Sequence, residues 1–168
     1  MLELDAEAVY RSLAARLREE TIGRDIRLVG VHTGGVWLAQ RLRDDLRLPH
    51  AVGILDISFY RDDFSRSGLN PSVKPSSIAF DVDGADIVLV DDVLATGRTV
   101  RAAMNELFDY GRPARIDLAV LIDRGGRELP VQPTVVGRVI EVPPEISVVL
   151  TRDDDGRLHL TLEQRRGD

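Results

Sequence analysis

The chain has 168 residues, 43% of them hydrophobic and 30% charged, which suits one globular domain able to bury roughly two-thirds of its unfolded surface without a disulfide or metal staple. It contains no cysteine, which excludes disulfide scaffolds, thiolate zinc sites, iron–sulfur clusters and cysteine nucleophiles, and suits a reducing compartment. A formal charge of −6 argues against broad nucleic-acid binding, no apolar run is long enough to span a bilayer, and the acidic start (Glu3, Asp5, Glu7) is unlike a signal peptide. The expectation is a single domain over residues 1–168, cytoplasmic and away from membranes. Of 22 cationic residues only Lys74 is lysine, so a local arginine patch for RNA remains compatible with the acidic total, as does a simple codon bias toward arginine.

Helix-like and strand-like segments alternate, the pattern of an open parallel sheet covered by helices. Asp5 to Glu20 carries Ala8, Val9, Leu13 and Leu17 near a helical period. Ile26 to Val31 reads as a strand, followed by Thr33-Gly34-Gly35 and a helix from Val36 to Leu46. Val52 to Phe59 reads as another strand. From Tyr60 to Asp86 glycine, proline, serine and aspartate dominate, with Pro71 and Pro75 opposing regular structure, so a long functional loop is expected. Ile87 to Val90 reads as a buried parallel strand and Thr99 to Tyr110 as an amphipathic helix closed by Gly111 and Pro113. A strand at Arg115 to Ile122, a short segment at Thr134 to Val139, and a hairpin from Ile146 to Arg152 and Arg157 to Leu162 complete the chain.

The chemistry concentrates in Val88-Leu89-Val90-Asp91-Asp92-Val93-Leu94-Ala95-Thr96-Gly97-Arg98-Thr99. A buried apolar strand ends in two carboxylates, then a loop of hydroxyls and glycine opens a helix. Ligands of open α/β sheets bind at the carboxyl ends of strands, and a helix N-terminus offers unpaired N–H groups to a phosphate. Gly97 lets the backbone approach closely, Thr96 and Thr99 add hydroxyls, and Asp91 and Asp92 suit the two hydroxyls of a ribose, directly or through magnesium. Together these parts describe a ribose 5-phosphate site. The segment is neither a Walker loop nor a dinucleotide fingerprint.

This segment closely resembles the phosphoribosyl-pyrophosphate signature of type I phosphoribosyltransferases. Over nearly the whole chain the resemblance narrows to the PyrR family, the bifunctional pyrimidine operon regulator and uracil phosphoribosyltransferase. It is carried by Leu55-Asp56-Ile57-Ser58-Phe59-Tyr60-Arg61-Asp62-Asp63, by Asp91 to Thr99, by Gly111-Arg112-Pro113, and by Leu121-Ile122-Asp123-Arg124-Gly125-Gly126-Arg127-Glu128-Leu129-Pro130. The resemblance implies an α/β type I phosphoribosyltransferase fold, with a mainly parallel sheet, helices on both faces and a small C-terminal hood. It implies formation of UMP and pyrophosphate from uracil and phosphoribosyl pyrophosphate, with Mg2+ held mainly by substrate and, on the protein side, by Asp91 or Asp92. UMP or UTP as regulatory ligands, a pyr mRNA leader as RNA partner and a homo-oligomer, dimer or higher, follow from the same likeness.

Residue by residue, the match assigns Asp91 and Asp92 to the ribose hydroxyls and Ala95, Thr96, Gly97, Arg98 and Thr99 to the 5-phosphate. Thr33, Gly34 and Gly35 match the pyrophosphate loop. Tyr60, Arg61, Asp62 and Asp63 open a flap over about residues 60–80 that would exclude water from a cationic ribosyl transition state, Arg61 with a catalytic role. Asp123 and Arg124 match the base pocket. Three stretches depart from the family pattern. Gly34 replaces an arginine of the pyrophosphate loop, Gly126 replaces a histidine, and Gly137 to Pro143 replaces the usual Gly-Lys-Asn-x-Pro-Thr-Ser. The first bears on transfer rate, and favours the alternative of a UMP- or UTP-sensing regulator with little or no transferase activity; the other two bear on RNA contact and on the hood. Ala95 stands where purine-specific enzymes of this fold carry an acidic residue.

The remaining groups are sparse. His32, His50 and His159 lack metal-ligand spacing, although His32 precedes the Thr33 loop. Asp153-Asp154-Asp155 reads as a solvated hairpin turn in preference to a cation site. Trp37 reads as core packing or a subunit contact.

Overall fold

Strands apolar on both faces need cover on both, and the alternation of side chains decides which helix covers which face. The computed structural model describes residues 4–57 and 76–166. Five strands, β1 (Ile26–Val31), β2 (Gly53–Leu55), β3 (Asp86–Leu94), β4 (Arg115–Asp123) and β5 (Val135–Val139), form one sheet in the order β2-β1-β3-β4-β5. Every pairing in it is parallel. Leu28, Val88, Val90, Ala119 and Leu121 point to one face, where α1 (Ala6–Glu20) and α2 (Gly34–Asp45) cover them with Leu13, Leu17, Leu38 and Leu42. Their neighbours Val29, Ile87, Leu89, Leu118 and Val120 point to the other, under Val100, Ala103 and Leu107 of α3 (Arg98–Asp109). The expected type I phosphoribosyltransferase architecture, helices on both faces included, is the observed one.

Boundaries moved where local pattern and pairing disagree. β3 continues past Val90 to Leu94, because β4 goes on pairing with it as far as Leu94 opposite Asp123. The apolar pattern stops at Asp91, but the ladder does not. Helix α2 begins at Gly34 instead of Val36, so the glycine pair forms its first turn. β2 is only Gly53–Leu55, shorter than the expected strand from Val52. It is the sheet edge, and its pairing ends where β1 ends, with the His32 N–H donating to the Leu55 carbonyl at 2.8 Å.

The C-terminal segment adds an antiparallel hairpin of β6 (Ile146–Arg152) and β7 (Leu158–Gln164), the expected hood. Its turn is organised by Asp153, whose Oδ1 accepts from the N–H groups of Asp155 and Arg157 at 3.0 and 2.9 Å. That carboxylate therefore serves the turn. Val148, Leu150 and Leu158 join the core beneath α1 and α2, and the Arg152 guanidinium lies 4.8 Å above the Trp37 ring. Trp37 thus packs between core and hood. Among the described residues no helix is long and apolar enough to cross a membrane.

One carboxylate ties the hood to the body. Glu7 Oε1 accepts from the Leu158 N–H at 2.9 Å, and the two oxygens take both terminal nitrogens of Arg41 at 3.0 and 2.7 Å. The Arg41 hydrogen bonds, opposed by burial and helped by Leu158, hold the Glu7 carboxyl below its ordinary pKa of 4.5. A lowered folded pKa contributes stability that is full above the unfolded value and is lost as pH falls through the folded one. Replacing Glu7 by alanine is therefore expected to cost about 1–2 kcal/mol at neutral pH. In thermal melts the gap between Glu7→Ala and wild type should narrow below about pH 4. A gap independent of pH would show that the ion pair does not hold the hood.

Candidate active site

The carboxyl ends of β1, β3 and β4 meet on one edge of the sheet, and three loops leave from it. The loop after β3 enters α3 through Gly97, whose φ of 92° lies in the left-handed region that glycine tolerates. The Thr96 hydroxyl accepts from the Arg98 N–H at 3.2 Å and stands on the helix's first turn. The loop is strapped from outside. The Thr96 carbonyl accepts from the N–H groups of Glu128 and Leu129, both at 3.0 Å, and the Leu94 carbonyl from that of Arg124, also at 3.0 Å. A methyl group at Gly97 would stand 3.2 Å from Val131, so the loop after β4 lies directly on it. The N–H groups at the start of α3, which have no partner within the helix, and its positive end are thereby fixed at the carboxyl edge of the sheet, an arrangement whose chemistry suits an anion.

Asp91 and Asp92 stand on the last turn of the pleat before this loop. Asp91 is buried, and its Oδ1 accepts from the Asp92 N–H at 2.8 Å; Asp92 is half-buried, and its Oδ1 accepts from the Val93 N–H at 2.8 Å. Each carboxylate is turned by a backbone N–H of its own strand end. The Thr33–Gly35 loop lies against them. A Cβ on Gly34 would stand 2.5 Å from Asp92 Oδ2, and Gly35 packs on the Val90 carbonyl and Asp91 Cα so closely that no side chain fits there. Gly34 has no left-handed φ; its want of a side chain is a matter of space, and the Asp92 carboxylate fills that space. Thr33 begins α2 with its side chain making no capping bond, and the His32–Thr33 peptide is cis. His32 Nδ1 is buried without a hydrogen-bond partner among the described residues.

Hard oxygen donors of this kind match Mg2+, which keeps several ligands from water and substrate phosphates. Among the described residues no cluster of three metal-binding side chains exists, and Asp91 and Asp92 are the carboxylates that could contribute to an ion held mainly by substrate.

The loop after β4 supplies the third side. Arg127 forms a two-pronged pair with Asp123, Nη1 to Oδ1 at 2.9 Å and Nη2 to Oδ2 at 2.7 Å. The same guanidinium donates to the carbonyls of Ala95 at 3.0 Å and Val131 at 2.6 Å. Arg127, chiefly through these hydrogen bonds, keeps the Asp123 carboxyl below its usual range. Arg124 is buried and reaches the hood, donating to the carbonyls of Ile146 and Pro143. Between phosphate loop, post-β4 loop and hood lies a cavity of about 280 Å3, lined by Thr96, Arg124, Glu128, Val142 and Arg165 among others.

The structure thus brings the sequence-expected Thr33, Gly34 and Gly35 against Asp91 and Asp92, and sets Ala95 to Thr99 beneath the loop that carries Asp123 and Arg124. The expected flap residues Tyr60, Arg61, Asp62 and Asp63 lie outside the described residues. Sequence reasoning missed Arg127 as the brace of the phosphate loop and Arg165 as a pocket residue. The first stood in view, since a cation four residues after Asp123 in a glycine-rich turn is an available partner. The second had no local signal.

The phosphoribosyl transferase domain family matches residues 3–152. A bifunctional protein PyrR of Nitrosococcus oceani is 48% identical over 158 residues, covering 91% of this chain and 89% of the relative. One from Pseudomonas aeruginosa is 50% identical over 153 residues, covering 91% and 87%. Among solved structures, a hypoxanthine-guanine phosphoribosyltransferase of Bacillus anthracis superposes with a TM-score of 0.66 at 19% identity, covering 87% of this chain and 86% of its own. That likeness speaks for the fold alone. By a domain match over most of its length and by near-50% identity to full-length relatives, the chain belongs to the phosphoribosyl transferase domain family and, within it, to the bifunctional PyrR proteins.

Proposed function

We propose that the protein transfers the 5-phosphoribosyl group of phosphoribosyl pyrophosphate to uracil, releasing pyrophosphate and forming UMP, and that UMP or UTP bound at the same site regulates pyrimidine gene expression. The observation that carries this is the placing of Asp91 and Asp92 between two helix-opening loops, Thr33–Gly35 on one side and Ala95–Thr99 on the other. Ala95 to Thr99 would hold the 5-phosphate through backbone N–H groups and hydroxyls. Asp91 and Asp92 would accept from the ribose hydroxyls. The start of α2 would face the pyrophosphate, so its N–H groups and dipole gain strength as the leaving group gains charge. Asp123 and Arg124 would border the base, the former by orienting Arg127 and the latter by fixing the hood. Bound Mg2+ would neutralise pyrophosphate charge. On the resemblance, Arg61 and its neighbours Tyr60, Asp62 and Asp63 would close over the reacting centre. Such transfer relies on positioning and electrostatics, with no protein nucleophile.

The regulatory half carries its own requirement. A chain of formal charge −6 repels a polyanion as a whole, so an RNA such as a pyr leader must meet a local arginine face, on the chain or on a homo-oligomer. One observation favours a regulator with weak transfer: no guanidinium stands at residue 34, and an acidic group occupies its space.

Steady-state formation of UMP from uracil and phosphoribosyl pyrophosphate, run beside a UMP titration, tests the proposal. Turnover supports the enzyme, and tight UMP binding without turnover supports the regulator. Asp91→Asn and Asp92→Asn should each weaken the ribose 5-phosphate ligand by about 1.5–3 kcal/mol with the fold intact. Unchanged affinity in both would remove these carboxylates from the site.

A second prediction concerns Gly34. Gly34→Arg adds a guanidinium and evicts the Asp92 carboxylate at once, and Gly34→Ala separates the two effects. The alanine variant is expected to raise KM for phosphoribosyl pyrophosphate several-fold while its melting temperature stays near wild type. If it does not, the Asp92 carboxylate turns aside without loss. Gly34→Arg then reports the guanidinium alone, and a barrier lowered by about 1.4 kcal/mol would show as a tenfold faster transfer.

A further inference from the structure

Among the described residues, the cavity between the post-β3 loop and the hood holds more positive charge than its surroundings neutralise. Arg124 is 8% exposed, and its partners are the carbonyls of Ile146 and Pro143, with no carboxylate paired to it among the described residues. A buried guanidinium held only by neutral acceptors lacks the counter-charge that offsets its desolvation. A second guanidinium stands beside it. Arg165, which also lines the cavity, is anchored by its backbone N–H to the Glu145 carbonyl at 2.7 Å and by Nε to Ser147 Oγ at 3.2 Å, and its terminal nitrogens have no hydrogen-bond acceptor among the described residues. Burial, and after it the charge of Arg165, push the Arg124 pKa down. Among the described residues the one carboxylate in the lining, Glu128, is engaged by Arg98 Nε at 3.2 Å. The other walls are Ala95, Thr96, Gly125, Gly126, Val142 and Pro144, all uncharged.

We propose that this pocket selects the anionic, N1-deprotonated form of the pyrimidine, and that Arg165 is the residue of this chain that sets the preference. The inference rests on the transfer reading above and deepens it. About 280 Å3 accommodates a single-ring base. Loss of the N1 proton spreads negative charge over the ring and both carbonyl oxygens, acceptors that a guanidinium meets with directed N–H bonds. Two cations nearby favour the charged form and so raise the fraction of base that is ionised when bound. The N1 proton passes to solvent before transfer. The N1 electron pair then forms the bond to the ribosyl C1 as the bond from C1 to the pyrophosphate oxygen breaks, its electrons leaving on pyrophosphate. Arg165 acts here on the base itself, and Arg124 acts on both base and hood.

The test compares bases of different acidity and adds a spectroscopic readout that needs no turnover. Arg165→Gln should lower kcat/KM for uracil by about tenfold more than for the more acidic 5-fluorouracil, the effect of roughly one pKa unit in the bound base. Arg165→Lys should recover part of the loss, and melting curves check that the hood stays folded. 5-Nitrouracil, whose absorption changes on ionisation, should bind to wild type with the spectrum of the anion at a pH where the free compound is still largely neutral, and Arg165→Gln should lose that shift. Equal losses for both bases together with an unchanged bound spectrum would overturn the inference. So would inorganic phosphate binding that depends on Arg165 while base binding does not, since the pocket would then serve a phosphate. If wild type makes no UMP, the transfer reading fails, and the spectrum of bound 5-nitrouracil still decides whether the pocket takes the anion.

Discussion

The pair between Asp123 and Arg127 is the contact on which the site depends. It joins the end of a central strand to the loop that follows it, and through the Ala95 and Val131 carbonyls it fixes that loop on the phosphate loop. Side-chain exposures of 14% and 25% keep the pair largely from water, where a two-pronged charge-assisted bond is stronger than on an open surface. A loop that must present backbone N–H groups to an anion cannot also satisfy them internally. It needs bracing from another segment, and Glu128, Leu129 and Arg127 supply it.

Two further ties extend from this centre. Arg124, next to Asp123, reaches the carbonyls of Pro143 and Ile146 and so couples the strand end to the hood. Glu7 and Arg41 grip the hood's far end through the Leu158 N–H. The hood is therefore held at the end of β4 and at α1. At the opposite end of the sheet Arg24 bridges Asp86 and Asp117 at 2.6 Å each, which fixes the amino ends of β3 and β4 and leaves the carboxyl ends to chemistry.

Much of this was legible in the chain. Unbroken apolar runs at Ile87 to Val90 and Leu118 to Leu121 mark strands buried on both faces, and four-residue spacing in Val9, Leu13 and Leu17 marks a helix covering one of them. The Asp-Asp pair and the Thr-Gly loop pointed to a candidate site because their chemistry is local. What escaped was long-range. Nothing near residue 165 states that it will lie beside Arg124, and nothing in Thr33-Gly34-Gly35 states that Asp92 will fill the space a side chain would take. The glycine pair read as loop because glycine is a poor helix former, whereas close approach to β3 demands it in the first turn of α2. Arg124 was expected at the base, and its capture of two hood carbonyls depends on a hairpin some twenty residues away, its donations spanning 19 and 22 positions.

The central claim is spatial: the carboxyl edge of the sheet, between the openings of α2 and α3, is where the ribose 5-phosphate lies. A second cavity, of about 570 Å3 and lined by Arg18, Arg24, Asp45 and Arg47, opens at the other end of β1 and makes the claim decidable. Backbone amide shifts recorded during titration with UMP test it most directly. The account predicts the largest changes at Thr96, Gly97, Arg98 and Thr99, with Asp92 and Gly125 following. Changes confined to residues around Arg24 and Arg47, with Thr96 to Thr99 unmoved, would contradict it.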